Sequence, residues 1–534
     1  MHASLEPNCQ KTSASWEPGR LDSAWLAKLL SGITLSDGPH SELAVRAPFT
    51  GAVVALLPDG READVELAVS RARGAQPAWA ARSFAERAQV FLRFHDLLLA
   101  RQNEVLDLIQ IETGKARRHA FEEVLDTAIV CRHYAWQAER LLRPRRRRGA
   151  LPALTRTLEL RPPAGVVGFI VPWNYPLNLA ITDAAPALMA GNTAVLKPDH
   201  QTSLTALWAV DLLREAGLPE DVFQVVTGDG RRLGPVLGER VDYLMFTGST
   251  RTGKLVARQA AERLIGCSLE LGGKNAMLVL RDADLDRAAE GAVRGCFVGS
   301  GQVCVSTERI YVHESVFDEF LRRFVERTRN LRIGAALDYS IEMGSLTSEA
   351  QLAAVEDHMR DALEKGAVVA AGGRRRPDLG PLFYEPTILT NVREDMQVYA
   401  EETFGPVVSV YPFAAEAEAV ERANASRYGL NASIWTRDTG RGARLARLIR
   451  AGSVNVNEAY AATWASVDSP IGGMKESGLG PRHGAEGILK FTQSQTVAVQ
   501  RLLPIAPPAW MDPATHARLM TQLLKLLRWI RILG

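Results

Sequence analysis

The sequence has few cysteines, and their arrangement is not typical of a disulfide or metal site. Five are spread along the 534 residues, at Cys9, Cys131, Cys267, Cys296 and Cys304, and no CxxC pair occurs. An odd number at wide spacing argues against both a disulfide framework and a zinc site. Because free thiols persist in a reducing compartment, we expect a cytoplasmic protein without a bound metal.

Net charge and long apolar runs are also missing. The 63 Lys and Arg residues nearly balance the 61 Asp and Glu residues, which gives no electrostatic reason to expect nucleic acid as the main partner. No run of about 18 apolar residues is present, as a membrane-spanning helix would need. Residues 1–20 are polar and lack the apolar core of a secretory signal, so we expect a flexible tail there.

The length of the chain and its alternating pattern predict an α/β protein with two α/β domains. From Gly165, β-rich runs alternate with helical segments of about ten residues, which is typical of a doubly wound parallel sheet. Such a sheet binds ligands at the carboxyl ends of its strands. The expected strands of the first block are Val166–Val171, Thr193–Lys197, Val222–Val226, Tyr243–Phe246 and Cys267–Leu271, with a helix over Ala180–Met189. Those of the second block are Ala276–Val279, Arg309–Val312, Val407–Tyr411 and Ser453–Val456.

Two basic segments have more than one interpretation. Arg143 and Arg145–Arg148 suit a nucleic-acid or membrane patch, but the absence of interleaved aromatics favours a solvated loop before a strand. Residues 513–534 predict an amphipathic helix with leucines on one face and Arg518, Lys525 and Arg528 on another. This helix is too short to span a bilayer. It can bind weakly to a membrane surface. We favour the alternative, in which it packs on its own subunit or on a neighbouring one.

A candidate nucleophile and a candidate base stand 34 residues apart. Cys304 lies in the segment Gly-Gln-Val-Cys-Val-Ser, and a lone cysteine is usually a small core residue. A reactive thiol needs a partner that handles protons. Glu270 closes an expected strand before two glycines that permit close backbone approach, so it is well placed to reach a cleft. A buried ion pair with Lys274 is the alternative for this glutamate.

Two loops after expected strands suggest oxyanion and phosphate binding. Asn174 lies between Pro172 and Pro176, and an amide on such a rigid loop can donate to a developing oxyanion. The segment from Phe246 to Gly253 joins a strand to a helix, whose first amides and Ser249 hydroxyl can hold a pyrophosphate. A simple turn residue is the alternative for Asn174.

Taken together, these segments resemble the aldehyde dehydrogenase superfamily from about Pro48 to Thr496. The resemblance implies that Cys304 is the nucleophile, Glu270 the general base and Asn174 the oxyanion donor. The implied cofactor-binding residues are Pro172, Trp173, Lys197, His200, Gly248, Ser249, Gly253, Leu271, Glu402 and Phe404. The implied reaction proceeds through a thiohemiacetal and a thioester that water hydrolyses. A non-catalytic relative would usually have lost the thiol or the base.

The resemblance also implies a Rossmann-type cofactor domain, an α/β catalytic domain and a small β oligomerisation arm. The expected bounds are 21–145 and 164–271 for the cofactor domain, 272–487 for the catalytic domain, 146–163 and 488–500 for the arm, and 501–534 for an extension. Strands at Thr155–Glu159 and Thr496–Val499 would form the arm of a homodimer or homotetramer.

Cofactor preference depends on the residue three positions after Lys197. NAD-preferring relatives often have a glutamate there, whereas this chain has His200. A histidine does not repel a 2′-phosphate and attracts it when protonated. We therefore expect NADP, with NAD as a possible second cofactor.

The nearest resemblance is to bacterial succinate-semialdehyde dehydrogenases that have a C-terminal extension. Many of these hold the substrate carboxylate with two arginines, but Thr182 and Val298 occupy the matching positions here. Another cation would have to bind the carboxylate. The expected pocket is largely apolar and aromatic, and it contains Tyr175, Asn178, Val303, Val305 and Trp464. A broad enzyme for medium-chain or aromatic aldehydes is the alternative.

Overall fold

A computed structural model of the chain describes residues 22–150, 155–501 and 505–529. The tail expected at residues 1–20 lies outside these ranges, as does the end of the predicted C-terminal helix. The chain divides into two compact units. The first contains residues 22–141 and 163–491, and the second contains the described parts of Leu142–Pro162 and Thr492–Gly534.

Short strands alternate with helices along most of the first unit, and three further described strands lie in the second. The strands are β1 (Glu42–Arg46), β2 (Val53–Pro58), β3 (Arg145–Arg147), β4 (Thr155–Leu160), β5 (Val166–Ile170), β6 (Thr193–Lys197), β7 (Phe223–Val225), β8 (Tyr243–Thr247), β9 (Gly266–Glu270), β10 (Asn275–Val279), β11 (Thr307–His313), β12 (Val368–Ala371), β13 (Thr387–Thr390), β14 (Val407–Phe413), β15 (Tyr428–Gly429), β16 (Asn431–Trp435), β17 (Ser453–Val456), β18 (Met474–Lys475), β19 (Gly478–Leu479) and β20 (Gln495–Gln500).

The α-helices range from one turn to seven turns in length. They are α1 (Ser23–Leu30), α2 (Glu62–Ala80), α3 (Phe84–Ala100), α4 (Gln102–Thr113), α5 (Arg117–Leu142), α6 (Pro176–Ile181), α7 (Ala184–Met189), α8 (Ser203–Glu215), α9 (Gly230–Gly238), α10 (Thr250–Glu262), α11 (Leu285–Phe297), α12 (Phe317–Arg329), α13 (Glu349–Glu364), α14 (Gln397–Ala400), α15 (Glu416–Asn424), α16 (Thr439–Ala446), α17 (Ala461–Trp464), α18 (Gly484–Leu489) and α19 (Pro513–Leu527).

Two largely parallel sheets organise the first unit. The first has the order β19-β9-β8-β5-β6-β7, and only β19 runs antiparallel to its neighbour. The second has the order β12-β13-β14-β11-β10-β16-β17, and only β12 is antiparallel. Strands β6, β8 and β10 are buried along their whole length, as expected when helices cover both faces. The prediction of a doubly wound α/β fold is confirmed.

The second unit contains a three-stranded antiparallel sheet of order β20-β4-β3 and the helix α19. Its strands β4 and β20 coincide with the two strands expected for the arm, each one or two residues longer. No residue of α19 is buried, and Leu519, Leu524 and Leu526 are each more than half exposed. Its leucine side chains are therefore largely exposed, and the surface on which the helix packs stays a prediction.

Two local predictions were wrong. The loop expected at the arginine run contains the strand β3, because Arg145–Arg147 pair with Thr157–Glu159 of β4. The single helix expected over Ala180–Met189 is two helices, α6 and α7. Pro186 has no N–H to give to the carbonyl of Thr182, so a continuous helix would lose a hydrogen bond there.

Candidate active site

Four candidate residues lie where neighbouring strands of the first sheet end. Asn174 follows β5, Lys197 ends β6, Ser249 follows β8 and Glu270 ends β9. These strands run parallel side by side, so their carboxyl ends share one edge of the sheet. Ligands of open α/β sheets bind at this edge.

The start of α10 offers an anion site at this edge. The Ser249 side chain caps the helix by accepting a hydrogen bond from the Thr252 N–H at 3.3 Å. A Cβ at position 253 would lie 2.5 Å from a Leu271 methyl carbon, so Gly253 lets the helix approach the end of β9. Free N–H groups in a first helical turn attract a pyrophosphate.

Lys197 and His200 stand at the neighbouring strand end. The Lys197 ammonium is nearly buried, and burial lowers its pKa while Asp199, Asp229 and Asp59 oppose this shift. The His200 ring is half exposed and lies 3.6 Å from the Asp199 carboxylate. This part of the edge therefore presents one buried cation and one half-exposed imidazole ring.

The loop before Cys304 has an unusual backbone. Gly299, Ser300 and Gly301 all have positive φ, at 54°, 58° and 72°. A Cβ at position 301 would lie 2.1 Å from the Gly405 carbonyl oxygen, so only glycine fits there. The close contact joins the thiol loop to the segment that carries Glu402 and Phe404.

The Asn174 amide lies beside the Cys304 loop. Its Nδ2 donates to the Gln302 carbonyl oxygen at 3.0 Å, and its Oδ1 has no partner among the described residues. An amide nitrogen carries two hydrogens, so one remains for a ligand. Asn275 fixes the loop from the other side, because its Nδ2 donates to the Cys304 carbonyl oxygen at 2.8 Å.

Glu402 and Phe404 contact the segments that follow β9 and β5. The Glu402 Oε1 accepts a hydrogen bond from the Gly273 N–H at 2.7 Å, and a Cβ on Gly272 would lie 2.2 Å from its Oε2. The Phe404 ring meets the Trp173 ring edge to face, with centroids 5.7 Å apart. The residues expected at the nicotinamide end are thus brought together by the fold.

The pKa values of the Cys304 thiol and the Glu270 carboxyl differ widely. Burial, reinforced by Glu270 and Glu402, raises the pKa of Cys304 to about 12. Burial also raises the pKa of Glu270 to about 7, although Arg482 and Lys490 oppose the shift. The Glu270 Oε1 has no protein partner among the described residues. At neutral pH the thiol is therefore protonated, and a partly ionised carboxyl is available to accept a proton.

Most of the residues expected in the substrate pocket belong to one apolar cluster that includes the thiol. Val298, Val303, Val305 and Tyr460 are buried together, and the less buried members Tyr175, Cys304 and Trp464 pack against them. Asn178 is buried at the edge of this region, where its Nδ2 donates to Asp126. A ligand beside the thiol therefore meets mostly apolar and aromatic side chains.

Comparison with known proteins places the chain in a family. Residues 35–497 match the model described as "Aldehyde dehydrogenase family". The chain belongs to this family. The predicted family, fold class and NAD(P)-dependent oxidoreductase activity are confirmed.

Three relatives illustrate this aldehyde dehydrogenase's similarity to known members. A Mycolicibacterium smegmatis protein named "Putative succinate-semialdehyde dehydrogenase", with NADP(+) in its name, is 49% identical over 500 residues, which cover 93% of this chain and 97% of the relative. A crystal structure of an E. coli NADP-dependent enzyme has a TM-score of 0.84 and 34% identity, covering 89% of this chain and 99% of that one. An NAD-dependent aldehyde dehydrogenase from Sinorhizobium meliloti has a TM-score of 0.85 and 36% identity, covering 90% and 94%.

Several charged residues of this aldehyde dehydrogenase's site were missed by sequence reasoning. Lys115 donates to Glu123 at 2.7 Å and to the Asn174 carbonyl oxygen at 2.5 Å, which fixes the amide loop. Arg482 lies in the segment after β19 and pairs with Asp183 at 2.8 Å. The Lys115–Asn174 and Arg482–Asp183 contacts join distant parts of the chain. The glycines around Arg482 were the one sequence signal of a close approach there.

Three further findings concern metal ligands, membrane spans and cysteines. No group of three or more His, Cys, Asp and Glu residues that could hold a metal ion occurs within residues 22–150, 155–501 and 505–529. Over the same ranges, no helix is long and apolar enough to cross a membrane. The four described cysteines are free thiols.

Proposed function

We propose that this aldehyde dehydrogenase oxidises succinate semialdehyde to succinate, prefers NADP, and uses Cys304 as nucleophile, Glu270 as base and Asn174 as oxyanion donor. The observation that carries the catalytic assignment is the position of Asn174 against the Cys304 loop, with Glu270 near enough to raise the pKa of the thiol. The substrate assignment is supported by the half-identical relative that bears the succinate-semialdehyde name.

The residues along the sheet edge fit a nicotinamide dinucleotide. Lys197 and His200 would hold the adenosine ribose, and Gly248, Ser249 and Gly253 the pyrophosphate. Glu402 would hold the nicotinamide ribose, next to apolar surface from Pro172, Trp173, Leu271 and Phe404. When bound, the nicotinamide accepts the hydride that leaves the aldehyde carbon. We propose residues 21–145 and 164–271 as the cofactor domain and 272–487 as the catalytic domain.

The first chemical step forms a carbon–sulfur bond. The Cys304 thiol releases its proton to water, and the small thiolate fraction that its raised pKa allows attacks the aldehyde carbon through Sγ. The second N–H of the Asn174 amide and the Cys304 backbone N–H hold the oxyanion of the thiohemiacetal. One such donor typically lowers a barrier by about 2.7–4 kcal/mol.

The second step hydrolyses the thioester left on Cys304 after oxidation. Glu270 takes a proton from water, and the water oxygen adds to the thioester carbonyl. The carbon–sulfur bond then breaks, which releases succinate and restores Cys304. A base with a pKa of about 7 is well matched to this task at neutral pH.

Replacing His200 by glutamate is expected to shift cofactor preference from NADP towards NAD. A carboxylate at this edge would repel a 2′-phosphate, and a repulsion of about 1.4 kcal/mol changes the ratio of kcat/KM values about tenfold. Steady-state kinetics with both cofactors measure the shift. The same charge change at His95, on α3, should leave the ratio unaltered, and an unaltered ratio in H200E would contradict the assignment.

A broad aldehyde dehydrogenase for medium-chain or aromatic aldehydes is the second candidate. The apolar cluster of Val303, Val305 and Trp464 around the thiol favours it. Succinate semialdehyde and hexanal, each assayed with NADP and NAD, separate the two functions. A kcat/KM at least tenfold higher for succinate semialdehyde supports the first proposal, and a preference for hexanal supports the second.

We further propose a homodimer or homotetramer formed through the sheet β20-β4-β3, in the cytoplasm. For α19 we propose a weak contact with an anionic membrane surface. Its leucine face is exposed, Trp510 and Trp529 are exposed near its ends, and no acidic residue occurs from Pro513 to Trp529. Sedimentation with anionic and neutral vesicles tests this contact. If removing residues 505–534 changes the oligomer mass instead, the helix contacts a neighbouring subunit.

A further inference from the structure

Arg482 is a buried cation beside the pocket that the proposed mechanism does not use. Its side chain is about 3% exposed, and Nη2 donates to the Thr182 hydroxyl at 2.7 Å. Its guanidinium carbon lies 5.6 Å from the centroid of the Trp464 ring. Arg482 therefore brings a positive charge to the wall that Thr182 and Trp464 share.

The fold holds this segment firmly next to the base. β19 pairs with β9 in the register Gly478 to Glu270, and the backbone of Arg482 then bonds to Ile471 in both directions, at 2.9 and 2.6 Å. The charge of Arg482 is felt at both reacting groups, since it lowers the pKa values of Cys304 and Glu270 against the effect of burial.

The guanidinium has binding capacity left. Asp183, its ion-pair partner, also pairs with Lys490 at 2.9 Å, so two cations share one carboxylate. Arginine has five N–H donors, and the contacts to Thr182 and Asp183 both use Nη2. Asp126 opposes the excess positive charge, although burial raises its pKa to about 6.

Lys115 is another cation at the pocket, but its N–H groups already have partners. The Lys115 ammonium donates to Glu123 and to the Asn174 carbonyl oxygen, and it lies 3.7 Å from the centroid of the Tyr175 ring. Its three N–H groups therefore have partners. Arg482 is better able to accept a new anionic ligand.

An unpartnered polar ring lies next to Arg482. The His483 ring is about 3% exposed, yet neither ring nitrogen has a hydrogen-bond partner among the described residues. It meets the Trp464 ring edge to face at 5.8 Å, and its φ of 60° is uncommon for a residue other than glycine. Backbone strain of this kind and unpaired buried polar atoms cluster at functional sites.

We propose that Arg482, aided by His483, binds the carboxylate of the aldehyde substrate, in place of the arginines missing at positions 182 and 298. This subsite rests on the proposed function, since it serves an aldehyde that carries a carboxylate at its far end. Thr182 is small enough for the guanidinium of Arg482 to occupy the space beside it, and a bidentate guanidinium suits a carboxylate.

The test compares succinate semialdehyde with 4-methylpentanal, in which an isopropyl group replaces the carboxylate at the same length. Wild-type enzyme, R482M and R482K are assayed with saturating NADP. In R482M, kcat/KM for succinate semialdehyde should fall about 10- to 100-fold, as the loss of a charged hydrogen bond implies. Any effect of Arg482 on the pKa values of Cys304 and Glu270 acts on both substrates alike, so kcat/KM for 4-methylpentanal should fall at least about tenfold less. R482K should recover part of the selectivity.

The ratio of the two kcat/KM values separates binding from other roles. If Arg482 only tunes Glu270 or supports the fold, both substrates will lose activity together and the proposal is overturned. An unchanged ratio in R482M also overturns it. Lys490 still pairs with Asp183 in R482M, which helps the variant to fold. If it does not fold, R482K must by itself lower the ratio. R294M, which removes an arginine paired with Glu458, should leave the ratio unaltered.

Failure of the proposed function has a different signature. If the wild-type enzyme already prefers 4-methylpentanal to succinate semialdehyde, the substrate assignment is wrong whatever R482M does. If the wild-type enzyme prefers succinate semialdehyde and R482M keeps that preference, only the role of Arg482 is wrong.

Discussion

Replacing Cys304 by alanine is expected to lower kcat at least about 10⁴-fold, because removal of a nucleophile abolishes the covalent route. The variant should still bind the cofactor, since the groups at the edge of the first sheet are unaltered. Formation of reduced nicotinamide, followed by absorbance, measures the loss. Binding of NADP, followed by calorimetry, shows whether the site remains intact.

Cys267 provides the matched control. It is also a partly accessible free thiol, and it lies in β9 three residues before Glu270. C267A should keep activity within about twofold, because it removes only a small apolar group. Full activity in C304A, or equal losses in C304A and C267A, would contradict the assignment of the nucleophile.

Replacing Glu270 by glutamine is expected to stop turnover after one cycle. The amide cannot take a proton from water, so the thioester should accumulate and kcat should fall about 10²- to 10⁴-fold. A rapid burst of reduced nicotinamide, of one equivalent per active site, would then precede a very slow steady state. Absence of the burst would mean that Glu270 is also needed for the attack of the thiol.

The same variant should change the pH dependence. Burial raises the pKa of Glu270 to about 7, and the base acts only as a carboxylate. In the wild-type enzyme, kcat should therefore fall as the pH decreases through about 7, roughly tenfold per pH unit once the group is mostly protonated. E270Q should lose this acid limb.

Glu122 is the control for the pH profile. Its pKa is also raised to about 7 by burial, and it accepts a hydrogen bond from the Tyr460 hydroxyl at 3.0 Å in the same pocket. E122Q should keep the acid limb near pH 7. Loss of the acid limb in E122Q, or its persistence in E270Q, would show that Glu270 is not the group that titrates.

The sequence identified the parts of the site that depend on local segments. β6 and β17 have the predicted bounds, because each is an uninterrupted β-rich run closed by turn residues. Asn174, Ser249 and Glu270 were each predicted to follow or end a strand, and parallel pairing then brings them to one edge. Their convergence follows from the topology of the sheet.

The positions of the charged residues Arg482 and Lys115 beside the candidate site could not be predicted in the same way. Arg482 meets Asp183, and Lys115 meets the Asn174 loop, across separations that no periodic pattern encodes. The strand β3 was missed for a related reason. Three exposed arginines have no apolar alternation, and they form a strand only because β4 offers a partner. Tertiary context overrides local propensity in such cases.

The most direct test of the account is the mass of the E270Q enzyme after reaction with succinate semialdehyde and NADP, followed by peptide mapping. We expect a succinyl group on the peptide that contains Cys304, formed in step with reduced nicotinamide. An unmodified Cys304 after such a burst, or a succinyl group on Cys267 instead, would contradict covalent catalysis at Cys304.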